Sequence, residues 1–332
     1  MICVLKPGIL TTVQDLGRYG YQKYGIVVSG AMDIYSMKLS NILVGNNEKE
    51  GVFEITLKGP ELEIQKGNLI AITGADISPE INGISVPMNR PVYLREDCIL
   101  KFGECKNGCR SYIAFAGGFD IEPVMGSKST YLRGKLGGID GRALKKYDKI
   151  ELGEKNFISK SIIQKLEEYK KSDTFVYPDW YINNYNIKKS DTQIIRFIEE
   201  RQYVDLSEES KKRFLNSEFT IDSKSDRMGY RLKGPEIKLK SQIEIISGEV
   251  SFGTVQLPLD GNPIILLADR ATAGGYPKIA HIAACDIQKL VQMKPSEKIK
   301  FKKITFSEAE ELYLKRENYI KDIQKSIILM SM

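Results

Sequence analysis

Four segments of this chain gather glycine, arginine and aspartate in place of ordinary core residues: TTVQDLGRYGY at 11–21, GSKSTYLRG at 126–134, SDRMGYRLKGP at 225–235 and LADRATAGGYPK at 267–278. Glycines let backbone N–H groups approach a ligand, and a guanidinium grips a carboxylate or phosphate at two points. The combination suits a small anionic guest held by loops at strand ends. The plainer alternative is that aspartates and arginines pair with one another and fasten those loops. Recurrence of the pattern in both halves favours a ligand cleft, because one pair would suffice as a fastener.

Other chemistries are excluded by what the chain lacks. His281 is its one histidine, so neither a histidine-rich zinc centre nor an HExxH helix can be assembled. It lies in IAHIAACD, an apolar run that reads as a buried strand, and no GxSxG elbow accompanies it, so it is taken as a packing residue. GSKST at 126–130 is not a phosphate loop: Ser127 separates Gly126 from Lys128, and Ile121 stands where the first glycine belongs. No Rossmann spacing is present. Met37-Lys38-Leu39 resembles a biotin-accepting lysine motif, but Ile34, Met37, Leu39, Ile42 and Leu43 form one helical stripe, which favours an amphipathic helix. Cys3, Cys98, Cys105, Cys109 and Cys285 show no paired CxxC spacing and read as reduced thiols.

The elements that must position the loops come next. A length of 332 residues suggests two globular units, and 42% apolar with 28% charged residues is the balance of a folded domain. The net charge of +6 is spread along the chain, which argues against nucleic acid; the absence of a long apolar run argues against a membrane. The opening MICVLKPGILTTVQD has no basic leader, so a cytoplasmic protein is expected.

An internal repeat organises the rest. LKGPELEI at 57–64 returns as LKGPEIKL at 232–239, and ITGAD at 72–76 is answered by ISGEV at 246–250. The strand-like runs ELEIQKGNLIAITG and EIKLKSQIEIISG make the repeated unit mostly β. The stretch from Glu154 to Met228 has no glycine, and SKSIIQKLEEYKKS and LSEESKKRFLNS within it have helical spacing. YPDWYINNYNIKKSD at 177–191 reads as a surface loop, and Ser307 with Glu310 as the capping box of a C-terminal helix. The expected plan is a first β domain at 1–153, a connector at 154–192, a second β domain at 193–305 and a helix at 306–332.

The four segments, with VSGAMD at 28–33 and AFAGGFD at 114–120, resemble in order the motifs of the biotin-dependent carboxyltransferase-like family. That family includes the C component of 5-oxoprolinase, the KipI antagonist KipA and the second component of allophanate hydrolase. The resemblance runs from about residue 3 to 303. It implies a mainly β fold of two tandem cyclophilin-like β-barrels with a few peripheral helices. It also implies two partner components, one KipI-like and one LamB/YcsF-like, and ATP-dependent opening of 5-oxoproline to L-glutamate, active only in the complex. ATP and Mg2+ would enter at the level of that complex, with no covalent biotin on this chain. Two other readings stay open: a carboxyltransferase component of a urea carboxylase or allophanate-type system, and a regulator antagonising a KipI-like inhibitor. Three places depart from the family pattern. FIEERQY at 197–203 replaces a Gly-Pro turn and so is given no binding role; His281 replaces a small residue; and 154–191 matches poorly.

Under this resemblance the site needs cations over the transferred phosphoryl group and the substrate carboxylate, and acids to manage protons or metal. Arg270 and Lys278, flanking Gly274 and Gly275, are assigned to anion stabilisation, and Asp226 and Asp269 to acid–base or metal-linked work. Arg227, Thr254, Gln256 and Tyr276 would orient substrate, while Asp15, Arg18, Ser29 and Asp33 would bring in the first half. Asp33 fits equally well as the N-cap of the helix that follows. No residue is assigned as a metal ligand outright.

Overall fold

The apolar runs LIAITGAD and NGCRSYIAF become strands Leu69–Asp76 and Asn107–Phe115 in a computed structural model that describes residues 1–169, 174–183, 191–241 and 244–331. The chain divides into two compact units. The first comprises Met1–Arg18, Ser29–Lys188 and Tyr319–Met332, and the second Tyr19–Val28 and Lys189–Asn318. This differs from the boundaries expected from sequence in three ways, the first being that the C-terminal helix is divided between the units after Asn318. Tyr19–Val28 belongs with the second unit, and the expected connector belongs largely with the first, where Ile162 and Leu166 share a buried cluster with Leu39 and Leu43.

The first unit has two six-stranded sheets. One contains Ile2–Lys6, Glu61–Ile64 and Cys98–Phe102 in neighbouring positions; the other places Asn107–Phe115 between Leu69–Asp76 and Val52–Thr56. Alternate residues of these strands fill a core in which Phe53, Phe115 and Phe119 touch ring to ring. Helix Ile34–Leu43 adds a second cluster and keeps Met37 and Leu39 buried, as its stripe predicts. Lys38 lies 3.5 Å from Glu48, so it sits in an ordinary amphipathic helix with an acidic neighbour.

The second unit is a closed barrel of seven strands. Its seam is the parallel pairing of Thr192–Glu199 with Lys298–Lys303, and its interior holds Phe197, Phe214, Phe219 and Phe301 in mutual contact. Of the two barrels that the family resemblance implies, this is the closed one. Helix Glu208–Asn216 starts at Ser207, whose side chain accepts from Ser210 N. The capping box of the long helix Phe306–Ser331 lies two residues earlier than expected: Thr305 and Glu308, rather than Ser307 and Glu310, bond reciprocally.

The repeat has a structural counterpart and a limit. In each LKGPE copy, a β-carbon on the glycine would strike a phenylalanine of a neighbouring strand, Phe102 at 2.6 Å from Gly59 and Phe219 at 2.5 Å from Gly234. Close packing at that turn therefore selects glycine in both halves. The second pair of motifs diverges. Ile72 is buried in an eight-residue strand, whereas Ile246 is 93% exposed beside a two-stranded ribbon, Gly248–Glu249 with Ala273–Gly274. The surface loop expected at 177–191 is described only through Asn183 and at Asp191. Among the described residues no helix is long and apolar enough to cross a membrane.

Candidate functional site

Arg227 and Asp269 approach from two barrel loops and form a two-point ion pair, Nε to Oδ2 at 2.9 Å and Nη2 to Oδ1 at 3.0 Å, with both side chains 7% exposed. The loops are also tied through Asp269 N and the Arg227 carbonyl. The arrangement is the loop fastener anticipated as the alternative, with Asp269 and Arg227 satisfying one another at two points. Asp226, expected to do acid–base work, turns its carboxylate onto the N–H groups of Met228 and Gly229 and closes the 226–229 turn. Thr254 likewise bonds to the start of its own turn at Ser251. At all four positions a polar side chain at a strand end satisfies nearby backbone or partner groups.

Arg270, the next residue along, is held differently. Its guanidinium donates to the carbonyls of Leu267 and Val250 and lies 5.9 Å from the Phe252 ring, and no carboxylate pairs with it among the described residues. Partial burial lowers its pKa, with Tyr19 opposing. A guanidinium remains protonated under such pressure, so the positive charge stays available. It faces a cavity of about 590 Å³ in the second unit, lined also by Gly20, Lys23, Glu249 and Thr272. Sequence reasoning did not single out Gln22 or Lys23. Their signal was the continuation of the glycine-rich stretch into YGYQKYG, which the structure assigns to this unit.

Lys278 and Gln256 pair across neighbouring barrel strands beneath the ribbon. Lys278 Nζ donates to the Glu249 carbonyl. Gln256 is 6% exposed, yet its Nε2 has no hydrogen-bond partner. A buried donor left this way costs about 1–3 kcal/mol. Tyr276 follows the ribbon and is 46% exposed.

His281 is on the same strand as Lys278, with Nδ1 3.4 Å from Ser251 Oγ and 3.7 Å from Glu200. Burial lowers its pKa below 6.5, and Glu200 and Arg270 act on it in opposite directions. The folded chain therefore binds its imidazole proton less readily than the unfolded chain. Its stability from this group is complete above pH 6.5 and falls as pH drops below that value. Urea unfolding across this range is expected to show that loss for the native chain and a smaller one for His281→Gln.

The residues expected from the first half are buried within the first unit. Asp15 accepts from Ser127 Oγ at 2.7 Å, Lys128 N at 2.6 Å and Gly17 N at 2.7 Å, and also from the Ser129 hydroxyl. Arg18 is 1% exposed and donates to the Ser129 carbonyl, and Ser29 Oγ donates to Thr130 O at 3.0 Å. Asp33 is the helix N-cap, accepting from Ser36 N and Ser36 Oγ. All four, expected to bind substrate, instead hold the 127–130 segment or the helix start. Lys128 of the false phosphate loop is bound to Glu50 and to the Phe119 carbonyl.

Comparison with known proteins places the chain in a family. Residues 24–303 match the carboxyltransferase domain, subdomains A and B. The chain is 33% identical over 327 residues to the C component of 5-oxoprolinase from Haemophilus influenzae, covering 98% of this chain and 99% of that one. It is 32% identical to the C component of 5-oxoprolinase from Escherichia coli, with 97% of each covered. The crystal structure of Kluyveromyces lactis urea carboxylase superposes with a TM-score of 0.86 at 29% identity, covering 97% of this chain and 29% of that one. The chain belongs to the carboxyltransferase domain family, subdomains A and B.

Proposed function

We propose that this chain is the C component of a cytoplasmic, ATP-dependent 5-oxoprolinase. Full-length similarity to two proteins of that name supports the reading, and the observation that carries it is Arg270, a guanidinium without an acidic partner among the described residues, beside a cavity of about 590 Å³. The substrate is a lactam carrying a carboxylate. Its amide resists water because the nitrogen lone pair is delocalised. Transfer of the terminal phosphoryl group of ATP to the amide oxygen gives a phosphorylated imidate and ADP. Water then adds to the ring carbon, the C–N bond breaks as the nitrogen takes a proton and leaves as the amine, and a second water displaces phosphate from the resulting acyl phosphate to give glutamate. Arg270 and Lys278 serve this sequence by holding the carboxylate and the negative charge that develops on oxygen.

Among the described residues no three acidic, histidine or cysteine side chains group as a metal site. Nucleotide and metal are assigned to the assembly with a KipI-like component and a LamB/YcsF-like component. The test is to purify the three chains together and follow ADP release on addition of 5-oxoproline. Release is expected with all three and not with this chain alone.

A carboxyltransferase acting with carboxybiotin is the second reading, favoured by the structural likeness to urea carboxylase. Carboxybiotin-dependent activity, together with no 5-oxoproline turnover by the complete assembly, would reverse the order.

A further inference from the structure

The ribbon Gly248–Glu249 with Ala273–Gly274 has two different faces. Glu249, Val250, Thr272 and Ala273 line the Arg270 cavity, whereas Gly248 and Gly274, paired opposite each other, cover Lys278 and Gln256. The cover is tight. A β-carbon on Gly274 would lie 2.3 Å from Gln256 Nε2, and one on Gly248 would lie 3.4 Å from Lys278 Nζ. Neither Lys278 nor Gln256 lines the cavity. The ammonium of Lys278 has one backbone carbonyl as its partner and no carboxylate, and the Gln256 amide nitrogen has no partner at all, among the described residues. Two adjacent donors thus lie under a thin cover held by two-residue strands, next to a cavity that already contains a cation.

We propose that Gln256 and Lys278 form a gated acceptor site for a carboxylate or amide oxygen, and that displacement of the glycine-paired ribbon brings them onto the cavity beside Arg270. The proposal builds on the ring-opening reading and makes Gln256 a residue that selects substrate. The gate depends on Gly274, whereas a β-carbon at Gly248 would meet only the tip of Lys278 at 3.4 Å, near ordinary contact. Any larger residue at 274 meets the Gln256 amide, so the ribbon cannot lie flat with that amide in place.

Hydrogen exchange of the full chain tests the gate without ATP or partners. 5-Oxoproline is expected to change exchange at 248–250 and 272–275, and 2-pyrrolidinone, which lacks the carboxylate, to do so at least tenfold more weakly. Gln256→Met keeps the side-chain length but removes the unpaired donor. It is expected to raise the thermal unfolding midpoint while weakening 5-oxoproline binding about tenfold, a combination that a packing role cannot give. Gly274→Ala is expected to speed ribbon exchange in the free chain. Native binding by Gln256→Met, or a ribbon unresponsive to 5-oxoproline, L-glutamate and acetate, overturns the gate even if the assembly turns over 5-oxoproline. A ribbon that responds to acetate and L-glutamate but not to 5-oxoproline supports the gate and removes 5-oxoproline as its substrate.

Discussion

Arg270→Ala is expected to lower 5-oxoproline turnover by the three-chain assembly roughly 10²–10³-fold, the range seen when one preorganised oxyanion donor is removed. The guanidinium is half-buried and bonded to two carbonyls, so its loss leaves no stranded charge and the barrel should remain folded. Arg270→Lys keeps the charge but not the fork, and should fall between the two. Steady-state kinetics on co-purified assemblies, with circular dichroism as the control for folding, check both. Equal turnover by Arg270→Ala and native assemblies would take the catalytic reading away from this cavity.

Arg227→Met is expected to cost about 3–5 kcal/mol of stability, because it leaves the buried Asp269 carboxylate without its two-point partner. Replacing both, Arg227→Met with Asp269→Leu, should recover most of the loss, since the desolvation penalty disappears with the pair. Urea denaturation of the two variants, read beside their turnover in the assembly, separates fastening from catalysis. If Asp269 worked as an acid or base, the double variant would be stable and dead; as a fastener, it is stable and active. The ion pair seals two barrel loops immediately before Arg270, so a fastening Asp269 would also fix the position of the arginine beside it.

Much of the architecture was legible because it rests on short-range physics. The helix at Ile34–Leu43 follows from its apolar stripe and the Asp33 cap, the helix at Glu208–Asn216 from Ser207, and the β character of both halves from the repeat. The site was legible in part. Gly, Arg and Asp clusters marked the loops at strand ends, but composition could not say which aspartates would be spent on fastening. Asp15 reaches Ser127 and Ser129 across more than a hundred residues, and nothing local in GSKST announces that its hydroxyls serve a carboxylate from the start of the chain. The ribbon was hidden for the opposite reason. ISGEV looks like ITGAD, yet one lies on a two-residue edge and the other in a central strand, a difference set by neighbouring strands.

The order of synthesis gives the helix Phe306–Ser331 a further significance. Ile320 and Ile327 close a cluster whose other members, Leu39, Leu43, Ile162 and Leu166, are made far earlier, while nearly all of the barrel is encoded between them. The unit that begins at the amino terminus therefore keeps an apolar face uncovered until residues 320–327 have been made. A chain stopped at residue 318 would release a complete barrel attached to an incomplete neighbour.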